Sequence, residues 1–116
     1  GMSAPSLFTR ILKGEIPGEI VAEDDRLFVL RDINPQAALH LLVVPKREYA
    51  DVVELAADDP ALLAEMVAMA GRLAQEHADG DFRLLFNVGE NSGQTVPHVH
   101  AHVLAGDLRE TNLVGR

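Results

Sequence analysis

Three of the five histidines in this 116-residue chain stand at every second position, in the segment "PHVHAHVL" from Pro97 to Leu104. Side chains of an extended strand alternate between its faces, so His98, His100 and His102 would share one face, with successive Cα atoms roughly 6.5–7 Å apart. Val99, Ala101 and Val103 would take the other face, which the pattern assigns to the core. Imidazole is largely neutral near neutral pH and exchanges protons readily there. A rigid row of imidazoles therefore suits nucleophilic attack, acid catalysis or metal binding.

Three readings compete. The plainest is an exposed polar strand face that happens to be rich in histidine, which is also how His77, near the end of a helical stretch, is read. The second is a metal site, since paired histidines on one strand can bind zinc or iron. It lacks a nearby carboxylate: the nearest acids are Glu90 and Asp107, so a distant strand would have to supply one. The third is phosphoryl chemistry without metal, in which one imidazole attacks phosphorus and its neighbours donate hydrogen bonds to the charged oxygens. The loop just before the strand, "NVGENSGQTV", favours this third reading. Gly89 and Gly93 would let the backbone approach an anion closely, with Gln94 and Thr95 as further donors.

Something must hold such a row in place. "SLFTRILKGEIP" begins with a cap serine, sets Leu7, Phe8, Ile11 and Leu12 at helical spacing, and stops at Gly14 and Pro17. "EIVAEDDRLFVLRD" reads as two short strands around an Asp24-Asp25 turn, with Asn34-Pro35 as the next turn. "LHLLVVP" is a near-continuous apolar run ended by Pro45, the pattern of a buried central strand. "DDPALLAEMVAMAGRLAQEHADG" is the clearest helix, with Asp59 as cap, Pro60 in the first turn and Gly80 beyond its end. Leu62, Leu63, Met66, Val67, Ala70, Leu73 and Ala74 fall along one face of it, facing the core or, less commonly, a second subunit. "FRLLFNV" and "PHVHAHVLA" read as the last two strands. Short-turned strands, a long helix, then two more strands imply an α+β fold with an antiparallel sheet.

The composition narrows the partners. Ten Lys and Arg against eighteen Asp and Glu give a net charge of -8, and nucleic-acid binders need a basic stripe that this chain lacks. No apolar run approaches the length of a membrane span. The absence of cysteine excludes disulfides and thiolate metal sites and fits a reducing compartment. The expectation is one cytoplasmic domain over residues 2–116, without nucleic-acid or membrane partners, Gly1 being a remnant of tag cleavage.

Taken together, "ILKGEIP", "EDDR", "DINPQAALHLLVVPK", "NVGENSGQTV" and "HVHAHVL" resemble, in order, the histidine triad (HIT) nucleotide-binding family. Its signature alternates three histidines with apolar residues, and the likeness runs from about Phe8 to about Gly106. It is closest to the Hint-like branch of purine nucleoside phosphoramidases. The resemblance implies an antiparallel sheet of about five strands with one long and one or two short helices. It also implies a homodimer, a purine nucleotide of the AMP or GMP type as ligand, and no required cofactor or metal.

Residue by residue, the resemblance makes His100 the nucleophile that forms a nucleotidyl-imidazole intermediate. His102 would bond the phosphate, His98 would orient the nucleophile, and His40 would complete the polar chain behind. Thr95 stands where the family usually has serine, near the leaving group. Asp32 would accept from the ribose hydroxyls, with Asn87 nearby, and Gly93, Gln94 and Val96 would offer contacts from the phosphate loop. Leu7, Phe8, Ile11, Ile16, Leu30 and Ile33 would enclose the base. The implied activity is hydrolysis of purine nucleoside 5′-phosphoramidates or related acyl-nucleotides, with a dinucleoside polyphosphate hydrolase and a nucleotide-binding module of little turnover as alternatives. Two features depart from the family: Arg31 replaces a histidine, and the tail "GDLRETNLVGR" lacks a Trp-Pro-rich ending. The third histidine argues against the nucleotidyltransferase branch. The lack of added domains or zinc-finger cysteines argues against the DNA-repair and decapping branches.

Overall fold

The segment "LHLLVVP" forms the centre of the molecule, as its uninterrupted apolar run predicts. In the computed structural model, which describes residues 4–108, this strand, β3 (Leu39–Pro45), is buried along its whole length. It lies third in an antiparallel sheet that also holds β1 (Ile20–Glu23), β2 (Leu27–Arg31), β4 (Arg83–Leu85) and β5 (Ala101–Ala105), in the order β1-β2-β3-β5-β4. Gly1 and the tail from Arg109 onward, on which two of the sequence expectations fall, lie outside the described residues.

Alternation along β3 divides the core. Leu39, Leu41 and Val43 join Val29, Ala101 and Val103 against α3 (Pro60–His77), whose Leu62, Met66, Met69 and Leu73 are buried. Leu42 and Val44, with Phe28 and Leu30, face the other way and pack on Phe8 of α1 (Leu7–Leu12). Helix α1 is short, so it covers only part of that second face, and the uncovered part holds His40 and His102. The fold is α+β with one long and two short α-helices, as expected. Among the described residues, no helix is long and apolar enough to cross a membrane.

Four local features differ from the sequence reading. A helix, α2 (Val52–Asp58), precedes α3. Asp51 accepts from the Glu54 N–H at 2.9 Å and Glu54 returns to the Ala50 N–H at 3.1 Å, a capping arrangement visible in "ADVVE". The α3 stripe is also rotated: Met69 is buried while Val67 is exposed. Strand β4 holds only three residues of "FRLLFNV". Finally, β5 starts at Ala101, so His98 and His100 lie just outside it. Opposite them β3 ends in Pro45, which has no N–H for a ladder bond, and Val99 instead donates to the Tyr49 carbonyl at 2.7 Å.

Candidate active site

Because β3 and β5 are neighbours, with Leu42 opposite His102, the two strands bring His40 and His102 together on the open face. His40 Nε2 lies 2.8 Å from His102 Nδ1. His98 is fully buried, its Nε2 2.7 Å from the Pro45 carbonyl and its Nδ1 2.5 Å from Ser6 Oγ. His100 Nδ1 lies 2.8 Å from the main-chain carbonyl of His98. Phe8 stands edge-on to His100, with ring centroids 4.8 Å apart.

These partners fix where the protons sit, because a carbonyl can only accept and an amide N–H can only donate. The Gln36 N–H donates to His40 Nδ1 at 3.0 Å, so the proton of neutral His40 is on Nε2 and is donated to His102 Nδ1. His102 therefore carries its own proton on Nε2. The opposite holds for His100: its Nδ1–H donates to the His98 carbonyl, which leaves Nε2 as a bare lone pair. Two adjacent rings, their centroids 5.2 Å apart, thus present a nucleophile and a hydrogen-bond donor side by side.

Burial keeps all four imidazoles neutral. Desolvation lowers the pKa of His40, His98 and His100 below the ordinary 6.5; the Asp32 carboxylate opposes it at His40, and at His100 the bond to the His98 carbonyl opposes it first and Asp32 second. At His98 the bond to Pro45 opposes it. His102 is pushed down to about 4 by desolvation first, then by repulsion from His100 and His40. Near neutral pH the lone pair of His100 is accordingly free for attack.

A cavity of about 300 Å³ opens in front of these two rings. Its wall holds His100, His102, Thr95, Val96, Gly93 and Asn87, and Leu7, Phe8, Ile11, Ile16, Leu30, Leu42 and Ile33 give it an apolar slot. Asp32 also lines the cavity and holds a turn by accepting from the Asn34 N–H at 2.8 Å. Among the described residues, the side chains of Asn87 and Thr95 have no hydrogen-bond partner, so both are open to a ligand. Ile33 is 97% exposed at the rim. Arg31 is there too, with Nε 3.2 Å from Glu19 Oε2.

Three expected residues are not in the cavity wall. His40 and His98 lie behind it. His98 meets the nucleophile through its carbonyl rather than its ring. The Gln94 side chain, expected as a donor toward an anion, turns inward and braces the loop: Oε1 accepts from the Gly89 N–H at 2.9 Å, and Nε2 donates to the carbonyls of Ala50 at 2.7 Å and Val96 at 3.0 Å. The loop's N–H groups at Ser92, Gly93 and Gln94 also bond within the loop, so Gly89 and Gly93 shape the turn, both at positive φ, rather than cradle an anion. Ser6 was legible as a cap but not as a partner of His98, because nothing in the sequence places residues so far apart in contact.

Asp32, His40 and His102 bring three ligand-type atoms within 4.8 Å of one another, which supplies the carboxylate that the metal reading lacked. The donor set fits a metal poorly. A ligating imidazole normally donates its other N–H to an acceptor, whereas His40 Nδ1 receives an N–H from Gln36. Its Nε2, the atom facing the cluster, must then keep its proton.

Comparison with known proteins extends along nearly the whole chain. A family model described as scavenger mRNA decapping enzyme C-term binding matches residues 5–113, so the likeness reaches the branch that the sequence analysis set aside. The chain is 41% identical over 106 residues to an uncharacterised HIT-like protein of Synechococcus elongatus, covering 90% of this chain and 93% of that one. It is 35% identical over 107 residues to the purine nucleoside phosphoramidase of Escherichia coli, covering 90% of each. Among solved structures, a HIT family hydrolase from Clostridium thermocellum superposes with a TM-score of 0.85 at 35% identity, covering 93% of this chain and 96% of that one.

Proposed function

This chain belongs to the histidine triad family and is a hydrolase, and from that premise we propose that it cleaves the P–N bond of purine nucleoside 5′-phosphoramidates, or the acyl-phosphate bond of related nucleotides, releasing the nucleoside monophosphate. The observation that carries this reading is the opposite set of partners on two adjacent rings, a carbonyl at His100 Nδ1 and the His40 ring at His102 Nδ1, which assigns a bare Nε2 to His100 and an Nε2–H to His102. The likeness to the Escherichia coli phosphoramidase supports the choice of bond.

In the first step His100 Nε2 bonds to the α-phosphorus as the P–N bond breaks. The departing amine takes its proton through the solvent-open hydroxyl of Thr95. The imidazole becomes a cation, and its Nδ1–H against the His98 carbonyl stabilises that charge. In the second step water bonds to phosphorus, gives up a proton, and Nε2 leaves with its lone pair restored. His102 Nε2–H and the Asn87 amide donate to the phosphoryl oxygens where negative charge develops. Asp32 accepts from the ribose, and the apolar slot takes the purine by contact and desolvation. No metal or cofactor enters the scheme. The same reading takes the protein as a homodimer, with the exposed Val67 of α3 as apolar surface for a second copy.

The test is release of AMP from adenosine 5′-phosphoramidate in chelator-containing buffer by wild type and His100→Ala. Turnover by wild type that is lost in the variant is expected. A folded wild type that turns over diadenosine polyphosphate but not the amidate would overturn the choice of substrate, and an active His100→Ala would overturn the nucleophile.

A further inference from the structure

Ser6 caps α1 and also touches the triad, and the two tasks use different atoms. As a cap, its oxygen accepts from the Thr9 N–H at 3.1 Å. Its own proton has two acceptors within reach, Thr9 Oγ1 at 3.3 Å and His98 Nδ1 at 2.5 Å, and goes to the much shorter contact with His98. The start of the helix is itself anchored from outside: Glu48 Oε1 accepts from the Ser6 N–H at 3.1 Å and Glu48 Oε2 from the Thr9 hydroxyl at 2.8 Å. In an ordinary capping box a carboxylate three residues into the helix accepts the cap N–H. Thr9 holds that position here, and the carboxylate comes from a segment 42 residues away. Ser6 is therefore fixed against the body of the protein, not only against its own helix.

His98 is fully buried, and its ring is held at both ends. The Pro45 carbonyl requires the proton on Nε2, so Nδ1 is a lone pair that needs a donor, and Ser6 is the donor present. The main-chain carbonyl of this same residue accepts Nδ1–H of His100. Two residues along from Ser6, Phe8 lies edge-on to both rings, with centroids 5.8 Å from His98 and 4.8 Å from His100. Clamping the His98 ring thus fixes the carbonyl that aims the nucleophile.

We propose that Ser6 is a positioning residue for the reaction: the proton it gives to His98 Nδ1 holds His98, and through its main-chain carbonyl His100, in the attacking orientation. The inference rests on the reading of His100 as nucleophile.

Capping and proton donation are separable by substitution. Glycine caps helices nearly as well as serine does, but it has no proton to give. Threonine keeps both functions. In steady-state assays of the full chain, Ser6→Thr is expected to match wild type. Ser6→Ala and Ser6→Gly should lose roughly ten- to a hundredfold in kcat, the range that corresponds to an orphaned buried acceptor, with little change in KM. Wild-type kcat in Ser6→Gly would overturn the proposal and leave Ser6 a cap only. If Ser6→Ala does not fold, Ser6→Gly still decides, since its cap is largely intact. Failure of the underlying reading looks different: the wild type would not turn over the amidate, or His100→Ala would remain active.

Discussion

Replacing His40 with alanine tests the proton chain behind the site. In the native protein the Gln36 N–H directs the proton of His40 to Nε2, and that proton is donated to His102 Nδ1 at 2.8 Å. Without His40, the acceptor left in the group of Asp32, His40 and His102 atoms that lie within 4.8 Å of one another is the Asp32 carboxylate. The His102 proton then moves to Nδ1, and Nε2 meets the phosphoryl oxygen as a lone pair instead of a donor. A hydrogen bond to a charged group contributes about 1.5–3 kcal/mol, so kcat/KM should fall roughly ten- to a hundredfold. The assay is amidate hydrolysis near neutral pH, with a thermal melt to confirm folding. His40→Gln should recover much of the loss, because its amide can donate to His102 and accept from Gln36. A folded His40→Ala variant within about twofold of wild type would refute the reasoning.

Other outcomes follow from the same geometry. All four site histidines are held below the ordinary 6.5, His102 at about 4. Between those values the unfolded chain binds protons that the folded one refuses, so stability is full above pH 6.5 and falls as pH drops toward about 4. Urea midpoints measured from neutral pH down to about 5 should decline, and a flat profile would contradict the buried neutral imidazoles. In kcat/KM, the acid limb should lie below 6.5, because burial also holds His100 down; an inflection above that value would argue against His100 as the titrating nucleophile. Gln94→Leu removes three loop hydrogen bonds and orphans the groups they satisfied. The expected cost is roughly 2–4 kcal/mol in chemical denaturation, with KM raised as Thr95 loosens; an unchanged midpoint would show that the loop stands without its brace.

The features that the sequence displayed were those set by local chemistry. "LHLLVVP" became β3, Leu39–Pro45, because an apolar run closed by proline has few places to go but a sheet centre. Asp59 and Pro60 opened α3, and Ser6 capped α1, because capping depends only on the next few residues. The face assignment of Val99, Ala101 and Val103 held, since alternation survives beyond the ends of a regular strand. What could not be read was decided at a distance. The regular part of β5 starts only at Ala101 because its partner strand ends in Pro45. Gln94 turns inward because Ala50, far away in the chain, offers a carbonyl. The link from Ser6 to His98 spans 92 residues and exists only because the sheet order brings α1 over the triad. Helix α2 was legible in principle, through Asp51 and Glu54, but it is short and lacks a long apolar stripe.

The most direct test of the central claim is the stereochemical course at phosphorus. A P-chiral thio-analogue of the amidate is hydrolysed in isotopically labelled water, and the configuration of the product is determined. Attack by His100 followed by attack of water inverts phosphorus twice, so the account predicts net retention. Net inversion would mean that water attacks the substrate in a single step, and would contradict a nucleotidyl-His100 intermediate.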